Sequence, residues 1–259
     1  MTAAAIAHRP PSDWHALTEA PRAIFEFASF LALRPMLSFL PRGDGHPVLV
    51  LPGFLASDTS TIPMRNLLIE LGYDAVGWDL GRNVQITPTR VKAMGACLNA
   101  LHQRTGRKVS IIGWSLGGLL ARELAKLHPD AVRQVISLGS PLSGDRGISK
   151  VSKIFEALNG TVPEVQRRGQ FTDLETPPPV PSTSVFTKSD GVVHWRGSLQ
   201  PEGPTRENVE VIASHVGLGV NPTVMWVIAD RLAQPDGAWA PFKAKGLASW
   251  AFPGKWGAN

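Results

Sequence analysis

The chain has 259 residues, 43% hydrophobic and 18% charged, the make-up of an ordinary globular protein that can bury a full core. Cys97 is the only cysteine, which rules out an intramolecular disulfide and favours a reducing compartment. The formal charge of +5 comes from scattered Lys and Arg, with no basic run interleaved with stacking aromatics, so solubility and a modest pull toward anionic surfaces are expected and nucleic-acid binding is not.

Residues 1–13 lack the basic-then-apolar order of a secretory leader, so a cytoplasmic location is expected. The longest apolar stretch, 23–40, is interrupted by Glu26 and by Arg34-Pro35, too soon for a membrane span. Its apolar residues (Ile24, Phe25, Phe27, Phe30, Leu31, Leu33, Leu37, Phe39 and Leu40) fall on more than one face. The pattern predicts a helix packed on the core and kinked at Pro35. The alternative is an interfacial or oligomer-forming helix, which leaves peripheral membrane contact and a homo-oligomer open as partner options.

From His46 onward, strand and helix signals alternate. Val48-Leu49-Val50-Leu51 is a continuous apolar run ending at Pro52-Gly53, as a buried parallel strand requires. Residues 63–71 read as a helix closed by Gly72, 73–78 as a strand, and 89–104 as a helix closed near Gly106. Strands follow at 109–112, 132–138, 183–186 and 209–213, with helices at 116–127 and 223–233. This alternation predicts an α/β protein with a mainly parallel sheet of about six strands and helices on both faces.

The core then spans 46–139 and 183–233, after an N-terminal helical segment at 1–45. The insertion at 140–182 carries Gly144, Gly147 and the run Pro177-Pro178-Pro179-Val180-Pro181, and is expected to cap a site. The tail at 234–259 holds Trp239, Phe242, Trp250, Phe252 and Trp256 with Lys243, Lys245 and Lys255. These aromatics are expected to pack back on the fold or on a second subunit, the alternative being contact with a membrane interface or lipid-like substrate.

The chemistry centres on Gly113-Trp114-Ser115-Leu116-Gly117-Gly118, between a predicted strand and a predicted helix. A serine on such a turn is lifted clear of the sheet, and the helix N-terminus favours developing negative charge. The hydroxyl needs a base, and the base an orienting acid. Of the histidines that follow, His128 ends a helix and reads as a C-terminal cation, whereas His215 lies at the carboxyl end of the sheet and is the favoured base. Asp190, just past the fifth strand, is the favoured acid. Asp130, Asp145 and Asp173 do not follow strands, and Glu156, Glu164 and Glu175 lie in the insertion. His194, four residues beyond Asp190, is the rival base and suits a structural or substrate-facing role better. The two expected oxyanion donors are the backbone N–H groups of Leu116 and of Phe54, in the loop after the first strand. No His/Cys/Asp cluster has metal-ligand spacing, so no metal is expected.

Taken together, residues 46–54, 113–118, 137–141, 189–193 and 214–219 resemble the α/β-hydrolase superfamily, and within it the bacterial esterase/lipase group, over about 46–232. The resemblance implies a serine carboxylesterase or lipase acting on a small-molecule or lipid-like ester through an acyl-enzyme, with no cofactor. An acyltransferase using the same three residues, and a non-catalytic hydrolase-fold binding protein, are the alternatives. Trp114 stands where such lipases commonly carry His, which moves the implied substrate from long-chain fat toward a broader ester class, and both Trp114 and His194 are candidate substrate contacts.

Overall fold

The computed structural model describes residues 10–142, 149–161, 171, 174–244 and 246–253. Gly144, Asp145, Gly147, Glu164, Asp173, Lys245, Lys255 and Trp256 lie outside the described residues.

Six strands form one parallel sheet: β1 (Pro47–Leu51), β2 (Asp74–Gly77), β3 (Val109–Trp114), β4 (Val132–Leu138), β5 (Ser182–Phe186) and β6 (Arg206–Glu210). Their order is β2-β1-β3-β4-β5-β6, with every neighbouring pair parallel. The central strands are buried almost throughout because both faces are covered. In β1, Val48 and Val50 enter one core while Leu49 and Leu51 enter the other. The first core is closed by Met64 and Leu68 of α4 (Ile62–Glu70) and by Val227 and Ile228 of α8 (Pro222–Leu232). The second is closed by Met94 and Leu98 of α5 (Pro88–Thr105) and by Leu120 and Leu124 of α6 (Leu116–Leu127). Each strand-to-helix step runs in the same direction, so the carboxyl ends of β1, β3, β4 and β5 open on one edge.

The bounds of α6 and β4 coincide with the sequence expectation. The sixth strand does not: it lies at Arg206–Glu210, three residues before the apolar run at 209–213. As an edge strand with only β5 for a neighbour, it buries alternate residues and needs no continuous hydrophobic stretch. Val211 adds one last bond to β5, its amide donating to the Phe186 carbonyl at 2.9 Å, and Ala213 lies beyond the ladder; both are buried.

The N-terminal segment departs further. It forms α1 (Asp13–Leu17), α2 (Glu19–Ala32) and α3 (Arg34–Leu37). The break falls at Leu33 rather than at Pro35, which sits in the first turn of α3, where a missing N–H costs nothing. The expected apolar packing of this helix on the core is only partly met. Phe30, Leu37 and Leu40 are buried, but Trp14, Ile24, Phe25, Leu31 and Phe39 are exposed, Phe25 by 73%. The buried side of α2 carries two carboxylates, Glu19 and Glu26. No helix among the described residues is long and apolar enough to cross a membrane. In the tail, Phe252 is buried and packs on Phe242, whose ring also lies beneath the Arg231 guanidinium, while Trp250 is exposed.

The two sides of α2 should respond differently to substitution. Phe30→Ala is expected to cost about 3–5 kcal/mol in urea unfolding, as for other buried aromatics. Phe25→Ser should stay within about 0.5 kcal/mol of the parent.

Candidate active site

The crowding of α6 against the sheet sets the geometry of the serine. Ser115 occupies the junction of β3 and α6 with φ 54° and ψ −120°, a region that L-residues avoid. A Cβ on Gly113 would lie 2.3 Å from the Gly117 carbonyl oxygen, and one on Gly117 would lie 2.4 Å from the Leu51 carbonyl oxygen. One on Gly118 would overlap the Ser140 hydroxyl. Without three side chains, the helix closes on β1 and β3 and the turn must tighten at residue 115. The Ser115 amide donates to the Leu138 carbonyl at 2.8 Å, tying the turn to the end of β4.

Asp190 and His215 come together beside it. His215 Nδ1 and Asp190 Oδ2 are 2.7 Å apart, and both side chains are buried. The other Asp190 oxygen accepts from the amides of Val192 (2.8 Å) and Val193 (2.7 Å), so the carboxylate is fixed before it meets the imidazole. The imidazole is held above its ordinary range. Burial disfavours its charge, but the charge and hydrogen bond of Asp190 and the charge of Glu19 outweigh that. The ring is not hydrogen-bonded to Ser115; this contact often tightens only when substrate is bound. A direct link between the two loops comes instead from Trp114, whose indole N–H donates to the His215 carbonyl at 3.0 Å.

The two residues expected to donate to an oxyanion lie on segments that adjoin Ser115: Leu116 follows it, and Phe54 follows Gly53. Leu116 is the first residue of α6, so its N–H is among those the helix leaves free. The Phe54 loop is shaped by buried Asn83, which donates to the Pro52 carbonyl at 2.8 Å and whose own carbonyl accepts from the Leu55 amide at 2.8 Å. A Cβ on Gly53 would sit 3.4 Å from the Ser115 Cβ, so this loop lies against the serine. The Phe54 ring meets Phe155 edge-on at 5.5 Å, on α7 (Ser152–Asn159) of the insertion. That helix is anchored by Asn159, which accepts from the Ile86 amide at 2.7 Å and donates to the Val84 carbonyl at 2.9 Å.

The remaining candidates fall elsewhere. His194 is half-buried and stacks on Trp195, while Asp190 pairs with His215 and not with its nearer neighbour in sequence. Trp114 packs against the core and the Gly219 backbone rather than standing free. His128 caps the end of α6 with its ring close to Gly95 of α5. Among the described residues, no group of three or more His, Cys, Asp or Glu side chains is gathered as a metal would need.

Sequence reasoning missed the contribution of α2. Glu19 accepts from the amides of Gly191, His215 and Val216, and Glu26 accepts from the amide of Ser214. Arg22 donates to the carbonyls of Ser189 and Ala213. The available signal was the spacing of Glu19, Arg22 and Glu26, which places all three on one helix face.

Comparison with known proteins agrees with the fold. A family profile described as alpha/beta hydrolase fold matches residues 46–208, more than half of the chain. Aspergillus fumigatus lipase B superposes with a TM-score of 0.57 at 14% identity, over 76% of this chain and 54% of that one, so the chain spans about half of that protein's length. The Bacillus licheniformis lipase BlEst2 gives a TM-score of 0.53 at 17% identity, over 74% of this chain and 94% of that one. A monoacylglycerol lipase of Paleococcus ferrophilus gives 0.50 at 16% identity, over 73% and 96%. Identities this low establish likeness of fold. No curated protein sequence matches the chain significantly.

Two outcomes are expected. Gly117→Ala should lower stability by about 1–3 kcal/mol in thermal or urea unfolding, because its methyl group meets backbone that cannot move aside. In an NMR titration, the His215 imidazole should lose its proton above the usual value near 6.5, and Asp190→Asn should move that midpoint down.

Proposed function

The chain belongs to the α/β-hydrolase fold family, and we propose that it is a serine hydrolase that cleaves carboxylic esters through a covalent acyl-enzyme. The observation that carries this reading is the buried 2.7 Å contact between Asp190 and His215, on loops that meet the strained turn at Ser115.

The contact fixes the tautomer. With Nδ1–H donated to Asp190, Nε2 carries the lone pair that can take a proton. In the proposed sequence, His215 Nε2 accepts the Ser115 proton as Oγ bonds to the ester carbonyl carbon. The carbonyl π pair moves onto oxygen, where the Phe54 and Leu116 amides would receive the negative charge. Collapse of this intermediate expels the alkoxide, which takes the proton back from His215 and leaves as the alcohol. Water then attacks the acyl-enzyme with His215 again as base, and the carboxylic acid departs as Ser115 regains its proton. The charged imidazolium of each transition state is stabilised by Asp190, in keeping with the raised affinity of His215 for its proton.

Trp114, standing where similar lipases commonly carry His, favours a broad ester class over long-chain fat. Phe54, with Phe155 edge-on to it, offers an apolar wall beside the serine. A lipid-like ester remains within this proposal, as does peripheral contact with a membrane.

A panel of p-nitrophenyl esters of rising chain length, combined with fluorophosphonate labelling, tests the proposal. Labelling should fall on Ser115, and Ser115→Ala should reduce kcat by a factor on the order of a million. The rate should rise with pH through the His215 titration, on the alkaline side of about 6.5, because only the neutral imidazole can act as base. Absence of both turnover and label would remove the enzyme reading.

A further inference from the structure

We propose that Glu19, Arg22 and Glu26 of α2 form a clamp that positions Asp190 and His215. The roles of those two residues rest on the serine-hydrolase reading; the clamp geometry does not. Its three members lie ahead of residues 46–208, the segment that matches the hydrolase family.

The polarity of α2 is the first argument. A helix packed for stability alone turns its apolar side inward and its charges to water. Here every exposed position from 20 to 33 is uncharged, while Glu19 and Glu26 are over 90% buried. Burying carboxylates is costly unless each finds donors, and these two find them on the loops that carry Asp190 and His215.

The bonds are the second argument. One Glu19 oxygen accepts from the Gly191 amide at 2.8 Å and the His215 amide at 3.1 Å; the other accepts from the Val216 amide at 3.0 Å. A single carboxylate thus holds the residue after Asp190, His215 itself and the residue after it. Glu26 accepts from the Ser214 amide at 2.6 Å and from the Asn221 side chain at 3.2 Å. Arg22 donates to the carbonyl of Ser189 at 2.9 Å and of Ala213 at 3.3 Å, and to Glu19 at 3.0 Å. Thr187 and Ser189 also reach the Ala213 carbonyl, both at 2.9 Å, but nothing else among the described hydrogen bonds holds the amides of His215 and Val216.

The room left for the helix is the third. A Cβ on Gly217 would fall 1.9 Å from a Glu26 carboxylate oxygen, and one on Gly191 would fall 2.5 Å from the His15 carbonyl in α1. Each loop therefore lacks a side chain where the N-terminal segment crosses it.

The charged groups around His215 are Asp190 from the loop after β5 and Glu19 from α2, with Arg22 paired to Glu19 and Glu26 holding the neighbouring Ser214 amide. Removing the Glu19 charge while keeping its size should therefore loosen the loop and also weaken the imidazolium. The test compares the full-length parent with Glu19→Gln and Glu26→Gln.

By NMR, the His215 titration midpoint should move down in Glu19→Gln and move less in Glu26→Gln. Amide exchange at Ser214, His215 and Val216 should speed at least tenfold in both, while β3 and β4 keep their protection. On a p-nitrophenyl ester, kcat should fall by roughly ten- to a hundredfold with KM nearly unchanged, as expected of a base displaced by a fraction of an ångström. An unchanged His215 titration and unchanged loop exchange in folded Glu19→Gln would overturn the clamp. So would exchange that speeds throughout the sheet in both variants, which would make α2 a stability element only. A parent that turns over no ester, but whose His215 titration responds to Glu19→Gln, would retire the esterase reading and leave the clamp standing.

Discussion

The close approach of α6 to β1 and β3 is the constraint on which this molecule turns. Glycines at 113 and 117 let backbone meet backbone where any side chain would collide, and Gly118 leaves room for the Ser140 hydroxyl. The cost is concentrated at one residue, Ser115, which takes a positive φ that the rest of the junction imposes on it. That strained residue opens α6 and stands next to the tryptophan that reaches the His215 carbonyl. Loosening the helix would relax the serine and disturb the tie to the histidine loop in a single movement.

Much of this was legible in the sequence because it is local. The apolar run before Ser115, the glycines around it and the helical pattern after it lie within a few residues of one another, and the observed β3 and α6 follow them closely. The contact between Asp190 and His215 was also within reach, since parallel strands must deliver the ends of β5 and β6 to the same edge as Ser115. What escaped was non-local or inverted. The sixth strand was displaced because hydrophobicity at Val211 and Ala213 reports burial under other elements, and a paired edge strand needs only alternate buried residues. The N-terminal helix was misread because its apolar residues face outward. Glu26 looked like an interruption in a hydrophobic stretch, when it is one of the residues by which the helix is attached.

The arrangement also separates two uses of hydrophobicity in one chain. In the sheet, apolar side chains are consumed on both faces, and the two cores share β1 residue by residue. On α2 the attachment is made largely by charged side chains gripping main-chain groups, which leaves Phe25, Leu31 and their neighbours facing outward. Main-chain amides and carbonyls survive every substitution except an amide replaced by proline, so a clamp of this kind tolerates most drift in the side chains of the loops it holds. The glycines at 191 and 217 are the exceptions, because the helix occupies the space their side chains would need.

The bonds from Glu19 and Glu26 span between 172 and 197 residues of chain. At a synthesis rate of roughly 5–20 residues per second, the helix leaves the ribosome about ten to forty seconds before the loops it binds. Through that interval the loop amides that Glu19 and Glu26 accept from have not yet been made, and Arg22 can form an ion pair only with Glu19 on its own helix. The strands of the core can therefore assemble well before the histidine loop is secured.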